Sequence, residues 1–137
     1  MSRKPRSIVL DSWAVIAYLG DEEAGSNVAE IMADAHENKV PLKMTILNVG
    51  EVWYSVARQT SENEADQAIA ELKELGIEFA DADWKLTRIA AAYKSKHKMS
   101  YADCFAAALA KEERAELVTG DKEFKEVQDS IKIVWLL

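Results

Sequence analysis

Cysteine is nearly absent: Cys104 stands alone, so no disulfide can form within the chain, and a reducing cytoplasm is the expected setting. Glycine and proline are scarce, 5 and 2 in 137 residues, which excludes collagen-like and Pro/Gly-rich disordered chains. No apolar run approaches the roughly 20 residues that span a bilayer, so no membrane partner is expected. Met1 to Arg6 is basic, but the apolar segment behind it stops at Asp11, too short for a secretory signal. Positive charge is also in deficit: 17 Lys and Arg face 24 Asp and Glu, a net charge of −7. That argues against nucleic-acid binding through a broad basic surface, though not against an enzyme whose carboxylates carry metal.

What is present is a chain of one-domain length, 49% hydrophobic, expected to form a single unit over 1–137 with residues 1–6 flexible. Ser7-Ile8-Val9-Leu10 reads as a buried parallel strand. A helix follows from Ser12 to Gly20, and a second covers Gly25 to His36 with Val28, Ile31, Met32 and Ala35 on one face. Leu42 to Thr45 is a second strand. The helix after it, Ile46 to Arg58, carries an apolar stripe of Ile46, Val49, Trp53, Val56 and Ala57. Glu51 lies off that stripe, with Asn48 one turn before it and Ser55 one turn after. A further helix ends at Gly76, and Ile77 to Ala80 is a third strand, near an edge. Asp83 caps a helix that ends in Lys94, Lys96, His97 and Lys98. Glu116 to Thr119 is a fourth strand, Lys122 to Val127 a short helix, and Ile131 to Leu136 a last strand. Strands alternating with helices predict an α/β fold of three layers, with a mostly parallel sheet between helices.

Ser100 to Leu109 starts a helix with a hydroxyl residue, an acid three positions later and an alanine-rich run. Asp103 therefore lies in a first turn. Asp11 directly follows the first strand, Asp121 follows the fourth after one glycine, and Glu51 lies near the start of the helix after the second. In a doubly wound sheet all four face the carboxyl edge of the strands, with strands one and four side by side. Taken singly, Asp11, Asp103 and Asp121 are equally well explained as helix caps, a preference of roughly 0.5–2 kcal/mol. Glu51 is too deep for that, and clustered carboxylates repel unless a cation holds them. Oxygen donors without His or Cys suit Mg²⁺ or Mn²⁺.

Other residues point to less. Cys104 reads as a small core residue, and His36 and His97 as solvated surface. Trp13, Trp53, Trp84 and Trp135 read mostly as core. The Lys94 to Lys98 cluster reads as a solvated helix end, with phosphate steering as a lesser alternative.

Ile8-Val9-Leu10-Asp11-Ser12, Asn48-Val49-Gly50-Glu51-Val52, Ser100-Tyr101-Ala102-Asp103-Cys104-Phe105-Ala106-Ala107-Ala108 and Thr119-Gly120-Asp121-Lys122-Glu123-Phe124 occur in that order over nearly the whole length. In these segments the chain resembles a PIN-domain ribonuclease, most closely the VapC-like toxins of toxin–antitoxin pairs. The resemblance implies a PIN-like α/β/α fold and a Mg²⁺- or Mn²⁺-dependent endoribonuclease. It further implies an RNA substrate, a cognate antitoxin and a homodimer. It makes Asp11, Glu51, Asp103 and Asp121 the acidic quartet, catalytic and metal-binding, and matches Ser12 and Thr119 to ancillary hydroxyl positions. Asp11 and Asp103 would be the principal ligands of one ion. Asp121 and Glu51 would complete its water shell, help hold a second ion or orient the attacking water, and hydrolysis would leave a 5′-phosphate. Two rival readings are a phosphotransfer or phosphatase domain phosphorylated on Asp11, and a non-catalytic PIN-like binding module. Against the first, Ser12 and Trp13 follow Asp11 where a second acid would stand. Against the second, all four acids are intact.

Overall fold

The computed structural model describes residues 4–136. Of the segment expected to be flexible, residues 1–3 lie outside the described residues. Elements follow the order β1 (Ile8–Leu10), α1 (Ser12–Leu19), α2 (Glu23–Glu37), β2 (Leu42–Thr45), α3 (Ile46–Gln59), α4 (Glu62–Glu74) and β3 (Ile77–Ala80). There follow α5 (Trp84–Lys96), α6 (Tyr101–Glu113), β4 (Glu116–Thr119), a 3₁₀ segment (Lys122–Val127) and β5 (Lys132–Trp135). The five strands pair in parallel in the order β3-β2-β1-β4-β5.

β1 lies at the centre because its three residues are apolar on both faces. Ile8 and Leu10 join a core with α1 to α4, whereas Val9 joins a second core with α5, α6 and the 3₁₀ segment. This is the three-layer α/β/α arrangement, and β1 and β4 are neighbours in register, Leu10 opposite Val118. β3 is an edge strand, as its alternating sequence predicts. α6 is buried over every residue from Asp103 to Ala110. Its alanines let it lie close to α5, α3 and the sheet together, with Phe105 and Leu109 as its large core side chains. Among the described residues no helix is long and apolar enough to cross a membrane.

Several local expectations are corrected. α2 begins at Glu23, so Gly25 lies inside the helix. A Cβ there would come within 2.5 Å of the Ala17 carbonyl oxygen, so the glycine serves the close crossing of α1 and α2. In α3 the fully buried apolar residue is Val52, one turn after Val49, whereas Ile46 is exposed at the sheet edge. β5 is shorter than Ile131 to Leu136 by one residue at each end. The tryptophans are not core: Trp84 is 71% exposed and Trp135 37%, while Trp13 and Trp53 are partly buried. Trp84 opens a helix and Trp135 ends an edge strand, places where the core has run out.

Candidate functional site

Local geometry brings the acids to the carboxyl edge from four separate segments. Asp11 leaves the end of β1 and caps α1, its Oδ1 accepting from the Ala14 N–H at 2.9 Å. Its Oδ2 accepts from the Thr119 hydroxyl at 2.5 Å, at the end of the neighbouring strand β4. The Thr119 oxygen in turn accepts from the Asp121 N–H at 3.0 Å. Thr119 is fully buried and so ties Asp11 to the turn that carries Asp121. Asp121 caps the 3₁₀ segment through the Glu123 N–H. For Asp11 and Asp121 the cap explanation is therefore correct, and capping is what aims both toward the shared edge.

Asp103 behaves differently. Ser100 caps α6 by accepting from the Asp103 N–H at 3.1 Å. The return bond of a capping box is missing, and no hydrogen bond reaches the Asp103 carboxylate among the described residues. The residue is buried, 6% exposed, and a carboxylate oxygen lies within 4.8 Å of ligand atoms of both Asp121 and Glu123.

Glu51 is held from the other side. Its Oε1 accepts from the Ser12 hydroxyl at 2.8 Å and from the Asn48 amide at 2.9 Å. Asn48 is itself fixed by Thr45, which caps α3: the Thr45 hydroxyl donates to the Asn48 side-chain oxygen, and the Asn48 N–H donates back. Asn48 and Thr45 are both fully buried.

The charges at this edge are uncompensated. None of the ion pairs among the described residues includes Asp11, Glu51, Asp103, Asp121 or Glu123. Burial pushes the Asp11 carboxyl up to about 7; the Thr119 and Ala14 bonds oppose this, and the charges of Asp121 and Glu51 add to it. Burial also pushes Asp103 up to about 7, reinforced by the charges of Asp121, Asp11, Glu123 and Glu51. Burial raises the neighbouring Cys104 thiol too, so it is not poised as a nucleophile. The donors are oxygens only, crowded and unpaired, which fits a hard divalent cation.

The structure thus sets Asp11, Glu51, Asp103 and Asp121 within electrostatic reach of one another, and gives Ser12 and Thr119 specific partners in Glu51 and Asp11. Sequence reasoning missed two residues. Glu123 joins Asp103 and Asp121, and its signal was an acid two positions after Asp121 in a tight 3₁₀ turn. Asn48 orients Glu51, and its signal was the spacing of three on a helix. His36 is on the surface, as expected, and His97 is half-buried beside Glu126. Lys94 donates to the Met99 carbonyl at 2.6 Å, which bridges α5 to the start of α6.

The PIN domain family model matches residues 8–130. No curated protein sequence matches the chain. Among solved structures it is similar to VapBC2 from Rickettsia felis bound to a DNA fragment from their promoter, at 19% identity and a TM-score of 0.72, covering 95% of this chain and 98% of that one. It is similar to the sarcin-ricin loop cleaving toxin VapC20 of Mycobacterium tuberculosis, at 16% identity and a TM-score of 0.69, covering 87% and 93%. A toxin–antitoxin complex from Klebsiella pneumoniae is similar at 17% identity and a TM-score of 0.67, covering 93% and 96%. At these identities the likeness is one of fold, while the family match spans all five acids and four of the five strands. The chain belongs to the PIN domain family.

Proposed function

We propose that this protein is a divalent-metal-dependent endoribonuclease, the toxin of a toxin–antitoxin pair, with Mg²⁺ as its ion and Mn²⁺ as a substitute. The observation that carries the reading is Asp103: a residue of the buried core whose carboxylate has no protein donor among the described residues and lies within 4.8 Å of Asp121 and Glu123. Like charges crowded around it repel, and a cation would relieve that repulsion.

Asp103, Asp121 and Glu123 would hold the ion, with Asp11 adding its charge from the β1 side. Bound there, a divalent ion supplies Lewis-acid stabilisation of a phosphodiester and makes water more acidic. The chain's own residues do the remainder. Ser12 and Asn48 both bond Oε1 of Glu51, which leaves Oε2 free to orient a water and accept its proton. Water adds to phosphorus, the P–O3′ bond breaks, and the 3′-oxygen takes a proton, so the product carries a 5′-phosphate. Thr119 holds Asp11 and the Asp121 turn in fixed relation while charge builds on the phosphate. Phosphorylation of Asp11 fits less well, because the Ala14 N–H and the Thr119 hydroxyl already engage its two oxygens.

The antitoxin partner is supported by the Klebsiella pneumoniae neighbour, a toxin–antitoxin complex. A groove of about 480 Å³ between α1 and the α3–α4 pair offers it a surface, lined by Ile16, Leu19 and Val56 and rimmed by Glu22, Glu64 and Glu71. A homodimer, a cytoplasmic location and an antitoxin tail lying over the acidic edge complete the proposal.

The test is cleavage of total RNA by purified protein with Mg²⁺, with Mn²⁺ and with a chelator, followed by end mapping. Cuts bearing 5′-phosphates that need the cation and vanish in Asp103→Asn support the reading. Cleavage that persists with chelator, or in Asp103→Asn, sinks it.

A further inference from the structure

Trp13 and Gly120 meet between the two segments that carry Asp11, Ser12, Thr119 and Asp121. A Cβ at Gly120 would lie 2.3, 2.5 and 2.6 Å from Cη2, Cζ3 and Cζ2 of the Trp13 ring, far inside contact distance. Space is the reason for glycine here. Gly76 is the positive-φ glycine among the described residues, and the φ of Gly120 lies outside the left-handed region. The indole has solid backing, because Trp13 packs against the core formed by α1 to α4. It stands in the first turn of α1, two residues after Asp11, and bears on the residue between Thr119 and Asp121. Hydrogen bonds fix Thr119 on one side of that glycine. A glycine has the freest backbone of any residue, so without a contact it would be the loosest joint of the turn.

We propose that Trp13 is a positioning residue whose indole, laid against Gly120, sets the spacing between the Asp11 and Asp121 carboxylates and thereby the affinity of the acidic edge for a divalent cation. The inference rests on the reading of that edge as a cation site. It assigns a role to a tryptophan that is only partly buried at the margin of the core.

Calorimetric titration of Mn²⁺ into the full chain tests this, with melting curves recorded in parallel. Trp13→Leu should stay cooperatively folded and lose about 10–100-fold in Mn²⁺ affinity, the range seen when a residue that orients a metal ligand is lost. Trp13→Phe should fall between Trp13→Leu and the parent. Gly120→Ala should bind weakly, because its methyl group displaces the indole or the turn. The double variant Trp13→Leu/Gly120→Ala should bind Mn²⁺ at least roughly 3-fold more tightly than Gly120→Ala alone, since leucine vacates the space. If Gly120→Ala does not fold, recovered cooperative melting in the double variant shows the contact and Trp13→Leu alone reports on affinity. A Trp13 that only stabilises the fold would lower the melting temperature and leave Mn²⁺ affinity unchanged well below it. That result, or a double variant no better than Gly120→Ala, overturns the proposal. A parent chain without Mn²⁺ affinity overturns the cation-site reading itself, and this inference with it.

Discussion

The Thr119 hydroxyl donates to Asp11 Oδ2 at 2.5 Å across 108 positions of the chain. The bond joins the ends of two neighbouring parallel strands, and the same hydroxyl oxygen accepts from the Asp121 N–H. One buried threonine therefore locks two acids that the sequence holds far apart.

Thr119→Val keeps the shape and removes both bonds. Asp11 Oδ2 loses its partner in a buried place and the Asp121 N–H in a part-buried one, a cost of about 1–3 kcal/mol in chemical denaturation. Asp11 also loses a bond that lowers its pKa, so its carboxyl should move higher still. Thr119→Ser should restore most of the stability, and a serine variant as unstable as the valine one would argue that packing rather than the hydroxyl matters.

Asp103→Asn should keep the fold, since no hydrogen bond reaches its carboxylate among the described residues, and it removes a buried charge. Mn²⁺ affinity and RNA cleavage should fall by more than the roughly 10–100-fold that losing an orienting residue costs. In chelator at pH 8 the variant should melt above the parent. Differential scanning fluorimetry and an end-labelled RNA assay together check both halves.

Without divalent ions, stability should fall as pH rises from about 4 to about 7. Asp11 and Asp103 have carboxyls raised from 3.8 to about 7. In that window the folded state holds protons at these positions that the unfolded state has released. Stability from this source is full below pH 4 and lost as pH climbs through 7. Saturating Mn²⁺ should flatten the slope, because the cation favours the ionised carboxylates. Melting temperatures at pH 5, 6, 7 and 8, with chelator and with Mn²⁺, provide the check; equal slopes in the two series would count against a cation at the acidic edge.

Asn48→Ala removes the amide that steadies Glu51 and should lower kcat about 10–100-fold with little change in KM. Ser12→Ala removes the other donor to the same oxygen and should cost less, because Asn48 is the buried partner. Single-turnover cleavage of a defined RNA separates the two effects.

Gly25→Ala carries a prediction of opposite sign to the usual helix rule. Alanine inside a helix normally gains roughly 0.5–1 kcal/mol over glycine. Here the added methyl would meet the Ala17 carbonyl oxygen at 2.5 Å, so α1 and α2 must separate and the variant should lose about 1–3 kcal/mol. A Gly25→Ala protein that melts above the parent would show that the crossing has room.

Much of the scaffold could be read directly from the residues. Ile8-Val9-Leu10 is apolar on both faces, which demands a central strand whatever surrounds it, and β1 is central. Asp83 and Ser100 mark the helix starts where they were expected because capping is local chemistry. The tryptophans resisted the same treatment. Hydrophobicity alone places Trp84 and Trp13 in one class, but one is exposed at a helix start and the other is pressed on a glycine in the turn after β4.

The site divides along the same line. Residue type and the alternation of strand and helix sufficed to name Asp11, Glu51, Asp103 and Asp121 and to put them at one edge, because parallel crossovers return every helix start to the same side of the sheet. Which acids touch, which are tied and which stand free depended on side-chain packing between segments up to 108 positions apart. Tertiary structure alone brought Glu123 beside Asp103, gave Thr119 two partners and laid Trp13 over Gly120. Local sequence encodes a hydrogen-bonding valence and a periodicity. The partner that fills that valence is chosen only when the two cores close on the sheet.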